Sequence, residues 1–143
     1  MPRILLIGDS HIKEMKPLFI AHAPKDTEVT IFTIQLGRGV NEIAAKYRDN
    51  LLQAYYFDPN IVILHAGHNN IASHHWYNPI PDHPRTVAND TLLLASEIKT
   101  NFPNSKVFIS TVFPRTFTAS SLLTTTEISS FNQKIKRHAQ HLK

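Results

Sequence analysis

The sequence has no cysteine and only four glycines in its 143 residues. The lack of cysteine excludes a disulfide framework, a thiolate metal site and a cysteine nucleophile. No apolar run approaches the ~20 residues that a membrane-spanning helix needs, and no secretory leader follows Met1. The sequence therefore predicts an intracellular, cytoplasmic protein.

The sequence also has only a small excess of positive over negative charge. The formal net charge is +4, and 42% of the residues are hydrophobic against 18% charged, which is typical of a globular protein rather than a disordered one. The length suits one domain over residues 1–143. The one cationic stretch, KIKRHAQHLK at 134–143, is typical of a helix C-terminus, where cations complement the helix dipole. Composition alone does not predict a nucleic-acid-binding protein.

What the sequence does contain is an alternation of two periodicities. Short apolar runs closed by turn residues predict strands at 3–7, 28–34, 61–66 and within the segment PNSKVFISTVF. Apolar residues at helical spacing predict helices over 10–22, 41–56, 86–102 and near the C-terminus, where Thr124-x-x-Glu127 has capping-box spacing. Strands that follow one another through helices predict an α/β fold with three layers, a parallel sheet between two layers of helices.

Three strand ends carry residues suited to chemistry. The first ends in Gly8-Asp9-Ser10-His11, the second in Gly37-Arg38-Gly39 and the third in Gly67-His68-Asn69-Asn70. In a parallel sheet these ends lie at one edge, which is where open α/β sheets bind ligands. A serine hydroxyl, backbone N–H groups beside glycine and an asparagine amide are what acyl transfer needs, a nucleophile and donors for the oxyanion.

The same segments resemble the SGNH (GDSL-type) hydrolase family. ILLIGDSHI is similar to its first sequence block, QLGRGVNEI to its second and PNIVILHAGHNN to its third, in the family's order. KVFISTVFPR and FNQKIKRHA resemble the strand and helix that follow in many members. The resemblance covers nearly the whole chain and implies a serine esterase or lipase with a flavodoxin-like α/β/α fold.

The resemblance also implies a role for each matching residue. Ser10 is the expected nucleophile, and Asp9 is expected to shape the turn that carries it. Gly37 is the expected backbone donor to the oxyanion, because Val40 and Ile43 then fall where the family has apolar helix residues; Gly39 is the alternative. Asn69 is the expected side-chain donor. No cofactor is expected.

The family's last block, Asp-x-x-His, is missing from the sequence after Ser10. That block supplies the general base and the carboxylate that orients it, and a serine at its free pKa needs such a base. His138-x-x-His141 has the spacing without the carboxylate, so His141 is the candidate base, although a helix surface also explains both histidines. The fold is therefore expected to lack its last strand together with this block. Either the sequence is a C-terminally truncated fragment, or a different histidine substitutes for the base, or the protein is a non-catalytic relative.

The remaining histidines leave two readings open. Most of them lie near the predicted loop at 68–85, which is too long for an ordinary connection, and such loops are often functional. One of them could replace the missing base; alternatively, several could bind a metal, although their spacing matches no zinc motif and no metal is expected. The candidates for the base are His11, His68, His74, His75 and His83, and the candidates for metal ligands are His65, His68, His74 and His75.

Three functions follow. The first is an esterase of small, acetyl-like acyl groups on a small-molecule or lipid ester. The second is a non-catalytic binding or scaffold domain on the same fold, since the usual base is missing. The third rests on resemblance alone: ILLIGDSHI is similar to esterase domains found beside RNA-binding modules in the first open reading frame of some non-LTR retrotransposons, which would make nucleic acid a partner. The sequence predicts no oligomeric state.

Overall fold

The structure is a computed structural model that describes residues 2–10, 12–22, 28–67, 84–110 and 132–136. Strands and helices alternate along these residues, as the sequence predicts. The elements, in chain order, are β1 (Arg3–Gly8), α1 (Ile12–His22), β2 (Thr30–Gln35), α2 (Val40–Asp49), α3 (Leu51–Phe57), β3 (Ile61–His65), α4 (Pro84–Asn101) and β4 (Lys106–Ile109), and residues 132–136 are helical.

All four strands of the described residues pair in parallel, in the order β2-β1-β3-β4. Strand β1 lies between β2 and β3, and its last residue, Gly8, is level with both Gln35 and His65. The strand ends that the sequence singles out therefore lie at one edge of the sheet. The predicted α/β fold with a parallel sheet is confirmed.

Helices cover both faces of this sheet because its strands are apolar on both sides. Leu5 and Ile7 of β1 belong to a large core cluster with buried residues of α2, α3 and α4. Ile4 and Leu6, which alternate with them, pack instead with Ile12 of α1 in a smaller cluster. The three layers of the prediction are thus present.

Two of the differences from the predicted helices have a local physical reason. The helix predicted over 41–56 is divided at Asn50, whose amide nitrogen Nδ2 donates to the Lys46 carbonyl at 2.8 Å. Because an asparagine side chain competes for backbone groups in this way, it favours a helix end over a helix interior. Helix α4 begins at Pro84, inside the segment predicted as loop, and proline suits the first helical position.

Other predictions fall outside the described residues. These are residues 68–83 of the loop predicted at 68–85, and the helix that Thr124-x-x-Glu127 would begin. Among the helices that are described, none has the length and the apolar character that a bilayer crossing requires.

Candidate active site

Ser10 lies in the turn that joins β1 to α1, and it is exposed. The Asp9 carbonyl accepts a hydrogen bond from the Ile12 N–H at 3.2 Å, and the Ser10 carbonyl accepts one from the Lys13 N–H at 3.4 Å. The turn is thus tied to the first amides of the helix. Its serine is presented to solvent at the carboxyl edge of the sheet, where a nucleophile could meet a substrate.

The turn begins with a close approach that only glycine permits. A Cβ at Gly8 would collide with the His65 backbone carbonyl and would lie 2.8 Å from Cγ2 of Ile12. On either side of Gly8, the Asp9 N–H donates to the His65 carbonyl at 3.1 Å and the Leu36 N–H donates to the Gly8 carbonyl at 3.1 Å. The Gly8 of the GDS motif therefore allows β1, β3 and α1 to meet directly beneath Ser10.

The two candidate backbone donors follow β2 at the same edge. Gly37 is exposed, and a Cβ there would have nothing within 4 Å. Gly39 is buried and is the N-cap of α2, where its carbonyl accepts the Ile43 N–H at 3.0 Å. Gly37 is therefore the more open of the two positions, and both lie close in sequence to the strand end level with Gly8.

After β3 the chain turns at Gly67, which has a φ of 102°. This left-handed conformation strongly favours glycine, because a Cβ would clash with the backbone. Asn69 lies two residues further and is outside the described residues, as are His141 and the histidines proposed as substitutes for the base, His11, His68, His74, His75 and His83. Their predicted roles stay predictions.

A buried polar cluster that the sequence analysis missed lies beside the Ser10 turn. Nδ1 of His65 is 3.1 Å from the hydroxyl oxygen of Ser110, and Nε2 of His65 is 3.7 Å from Oδ1 of Asp9. Asp9 is fully buried and His65 is 1% exposed. The signal available in the sequence was a histidine within the apolar run IVILHA, where a polar side chain needs a partner once buried.

Solved structures of hydrolases share this fold. An acetyl xylan esterase aligns with 98% of this chain and 73% of its own, at a TM-score of 0.66 and 14% identity. A putative GDSL-like lipase from Parabacteroides merdae aligns with 99% of this chain and 74% of its own, at a TM-score of 0.68 and 14% identity. A lipase/acylhydrolase from Enterococcus faecalis aligns with 99% of this chain and 73% of its own, at a TM-score of 0.68 and 15% identity.

The chain has the fold of these esterases and lipases. At 14–15% identity the likeness shows the fold alone. No protein-family model matches the sequence, and no curated protein is significantly similar to it.

Proposed function

We propose that the protein is a serine esterase that hydrolyses small, acetyl-like acyl esters of a small molecule or lipid through an acyl-Ser10 intermediate. The observation that carries the proposal is the exposed Ser10 on its strand-to-helix turn at the carboxyl edge of the parallel sheet. The similar fold of an acetyl xylan esterase and of two lipases supports the same reaction class.

In the proposed reaction, Oγ of Ser10 attacks the ester carbonyl carbon, and its proton passes to a general base. Negative charge develops on the carbonyl oxygen, which accepts hydrogen bonds from the N–H of Gly37 (Gly39 is the alternative) and from the side-chain amide of Asn69. The base then gives its proton to the departing alkoxide. Water attacks the acyl-serine in a second step that releases the acid and restores Ser10.

The general base is proposed to be a histidine, since imidazole changes charge near neutral pH. His141 is the candidate that the spacing His138-x-x-His141 singles out. It would take the Ser10 proton without the carboxylate that orients the base in SGNH hydrolases.

The proposal is tested by Ser10→Ala, with Ser96→Ala as a matched control on an exposed position of α4. Both variants lose one hydroxyl, but only the first loses the nucleophile. We expect kcat/KM for a chromogenic acetyl ester to fall at least about 1000-fold in Ser10→Ala and to stay unchanged in Ser96→Ala, with the same circular dichroism in both.

Turnover in Ser10→Ala equal to that of the unmodified protein would contradict the assignment of the nucleophile. If the unmodified protein neither hydrolyses esters nor reacts at Ser10 with a fluorophosphonate, the esterase proposal is wrong, and a binding or scaffold domain on the same fold is the function to pursue.

A further inference from the structure

The polar cluster at the sheet edge joins three elements through one side chain. His65 ends β3, Asp9 follows β1, and Ser110 follows β4. The His65 ring spans the last two, with Nδ1 3.1 Å from Oγ of Ser110 and Nε2 3.7 Å from Oδ1 of Asp9. Since Asp9 immediately precedes Ser10, this cluster is one residue away from the proposed nucleophile.

The chemistry of the side chains constrains where the ring protons lie. A carboxylate only accepts hydrogen bonds, so the nitrogen that faces Asp9, Nε2, carries a hydrogen. When the ring is neutral, Nδ1 is then the acceptor and the Ser110 hydroxyl donates to it. The 3.7 Å between Nε2 and Oδ1 of Asp9 is longer than a hydrogen bond, so the two groups interact electrostatically, in a buried setting where water screens them little.

The backbone of His65 acts on the same turn. Its carbonyl accepts the Asp9 N–H at 3.1 Å and abuts Gly8, while the Ser110 N–H donates to the Leu64 carbonyl at 2.8 Å. The main chain of Asp9 is thus bonded to the backbone of His65, and its side chain lies near the His65 ring. The Asp9 carbonyl in turn accepts the Ile12 N–H at 3.2 Å. A change in the position of the Asp9 side chain would therefore also change the conformation of the turn that carries Ser10.

We propose that His65 is a positioning residue for Ser10 that acts through the Asp9 carboxylate, with Ser110 fixing the orientation of the ring. The catalytic consequence rests on the proposed esterase function. The ordering of the turn by His65 is a property of the fold and is measurable whether or not the protein hydrolyses esters.

Two substitutions of His65 distinguish the contribution of Nε2 from that of Nδ1. In His65→Gln the side-chain amide reaches about as far as Nε2 and keeps a donor toward Asp9. In His65→Asn the shorter amide reaches about as far as Nδ1 and keeps a polar group near Ser110, but it leaves Asp9 without the donor. Both remove the imidazole, and because asparagine leaves the larger void, the amides of α4 serve to detect any general loss of packing.

The first readout is hydrogen exchange of the Asp9 amide by NMR, with amides of α4 as internal reference. We expect exchange at Asp9 to accelerate at least about tenfold in His65→Asn and to stay near the unmodified rate in His65→Gln, while α4 stays constant. Equal acceleration in both variants, or no acceleration in either, would overturn the proposal. Should neither His65 variant fold, Ser110→Ala serves in their place, since it frees the ring and should accelerate Asp9 exchange; an unchanged rate there also overturns the proposal.

The second readout is ester hydrolysis. We expect His65→Asn to lower kcat by about 10- to 100-fold with little change in KM, because a misplaced nucleophile affects the chemical step more than binding, and His65→Gln to restore most of kcat. A protein that orders Asp9 through His65 but hydrolyses no ester would disprove the esterase proposal and leave the positioning role supported by exchange. Hydrolysis that is equally impaired in both variants would contradict the positioning role of His65 but not the esterase proposal.

Discussion

Tyr47 is a single residue whose protonation is coupled to folding. It is fully buried on α2, and its hydroxyl oxygen accepts a hydrogen bond from Nδ2 of Asn101 at 2.7 Å. Burial raises the pKa of Tyr47 from 10.0 to about 12, the Asn101 hydrogen bond opposes that shift, and the charge of Glu97 adds to it. The folded protein therefore favours the neutral phenol.

A raised pKa in the folded state gives a stability that is complete below pH 10 and is lost as the pH rises through about 12. We expect the free energy of unfolding to fall by up to roughly 3 kcal/mol over this interval through Tyr47 alone. The measurement is urea unfolding at a series of alkaline pH values. Tyr47→Phe should show a shallower decline, and Tyr56→Phe, at an 83% exposed position, is the control. Identical slopes in all three proteins would refute the coupling.

Single residues also show how far the sequence can predict the candidate site. The placement of Ser10 in a turn after a strand was predictable because the strand RILLI and the turn are contiguous in sequence, so a local pattern describes both. The contact of His65 with Ser110 spans 45 positions and depends on the pairing of β3 with β4. No local pattern carries that information, and the positions of Asn69 and His141 remain predictions.

At the scale of elements, α2 and α4 are joined by two kinds of contact. At the surface, the Arg48 guanidinium forms hydrogen bonds with the Glu97 carboxylate, with Nη2 2.8 Å from Oε1 and Nε 3.0 Å from Oε2. The hydrogen bonds and the charge of Glu97 raise the pKa of Arg48 above its ordinary value. In the interior, Ile43 of α2 and Ile98 of α4 are fully buried in the larger core cluster. The apolar contact should dominate, since the Arg48 side chain is 58% exposed to water.

Adjacent residues of α4 test this comparison. Ile98→Ala should lower the free energy of unfolding by about 2–5 kcal/mol, because it removes buried methyl groups and leaves a cavity. Glu97→Ala should cost less than about 1 kcal/mol, and that cost should shrink as salt is added. Urea unfolding at low and high ionic strength measures both. A larger loss for Glu97→Ala than for Ile98→Ala would show that the ion pair, and not the core, holds the two helices together.

Element boundaries were predictable only where the periodicity itself ends. Apolar spacing continues from Ile43 through Ala54, so periodicity alone predicts one helix, and the break at Asn50 depends on a side-chain hydrogen bond that spacing does not describe. Helix α4 likewise begins at Pro84, before its first buried apolar residue, Val87. Element type was predictable because each run of apolar residues has one dominant period.

For the whole molecule, the parallel sheet followed from the alternation of strands and helices, but the strand order did not. The order β2-β1-β3-β4 depends on which strands pair, and β1 is an inner strand that is apolar on both faces and hydrogen-bonded to β2 and β3. That central position is what brings the Ser10 turn between the ends of β2 and β3. The location of the candidate site is therefore a consequence of strand order rather than of the GDS motif alone.

Among the described residues, the two faces of the sheet carry buried clusters of different size. On the face toward α2 and α4 the described residues form a cluster of eighteen buried residues, whereas the face toward α1 has three, Ile4, Leu6 and Ile12. The second group is completed by half-buried side chains such as Met15 and Phe19. A cavity made on the thinner side has neighbours that can move into it more easily, and the cost of a cavity depends on that relaxation.

Leu5 and Leu6 form a matched pair for this asymmetry, because both are fully buried neighbours on β1 and face opposite layers. Either leucine-to-alanine change removes the same atoms. We expect Leu5→Ala to lower the free energy of unfolding by about 3–5 kcal/mol and Leu6→Ala by at least about 1 kcal/mol less. Urea midpoints at an unchanged slope would measure the difference. An equal or greater loss in Leu6→Ala would mean that the α1 side is packed as rigidly as the other, and that the helix following Ser10 is as firmly fixed as α2 and α4.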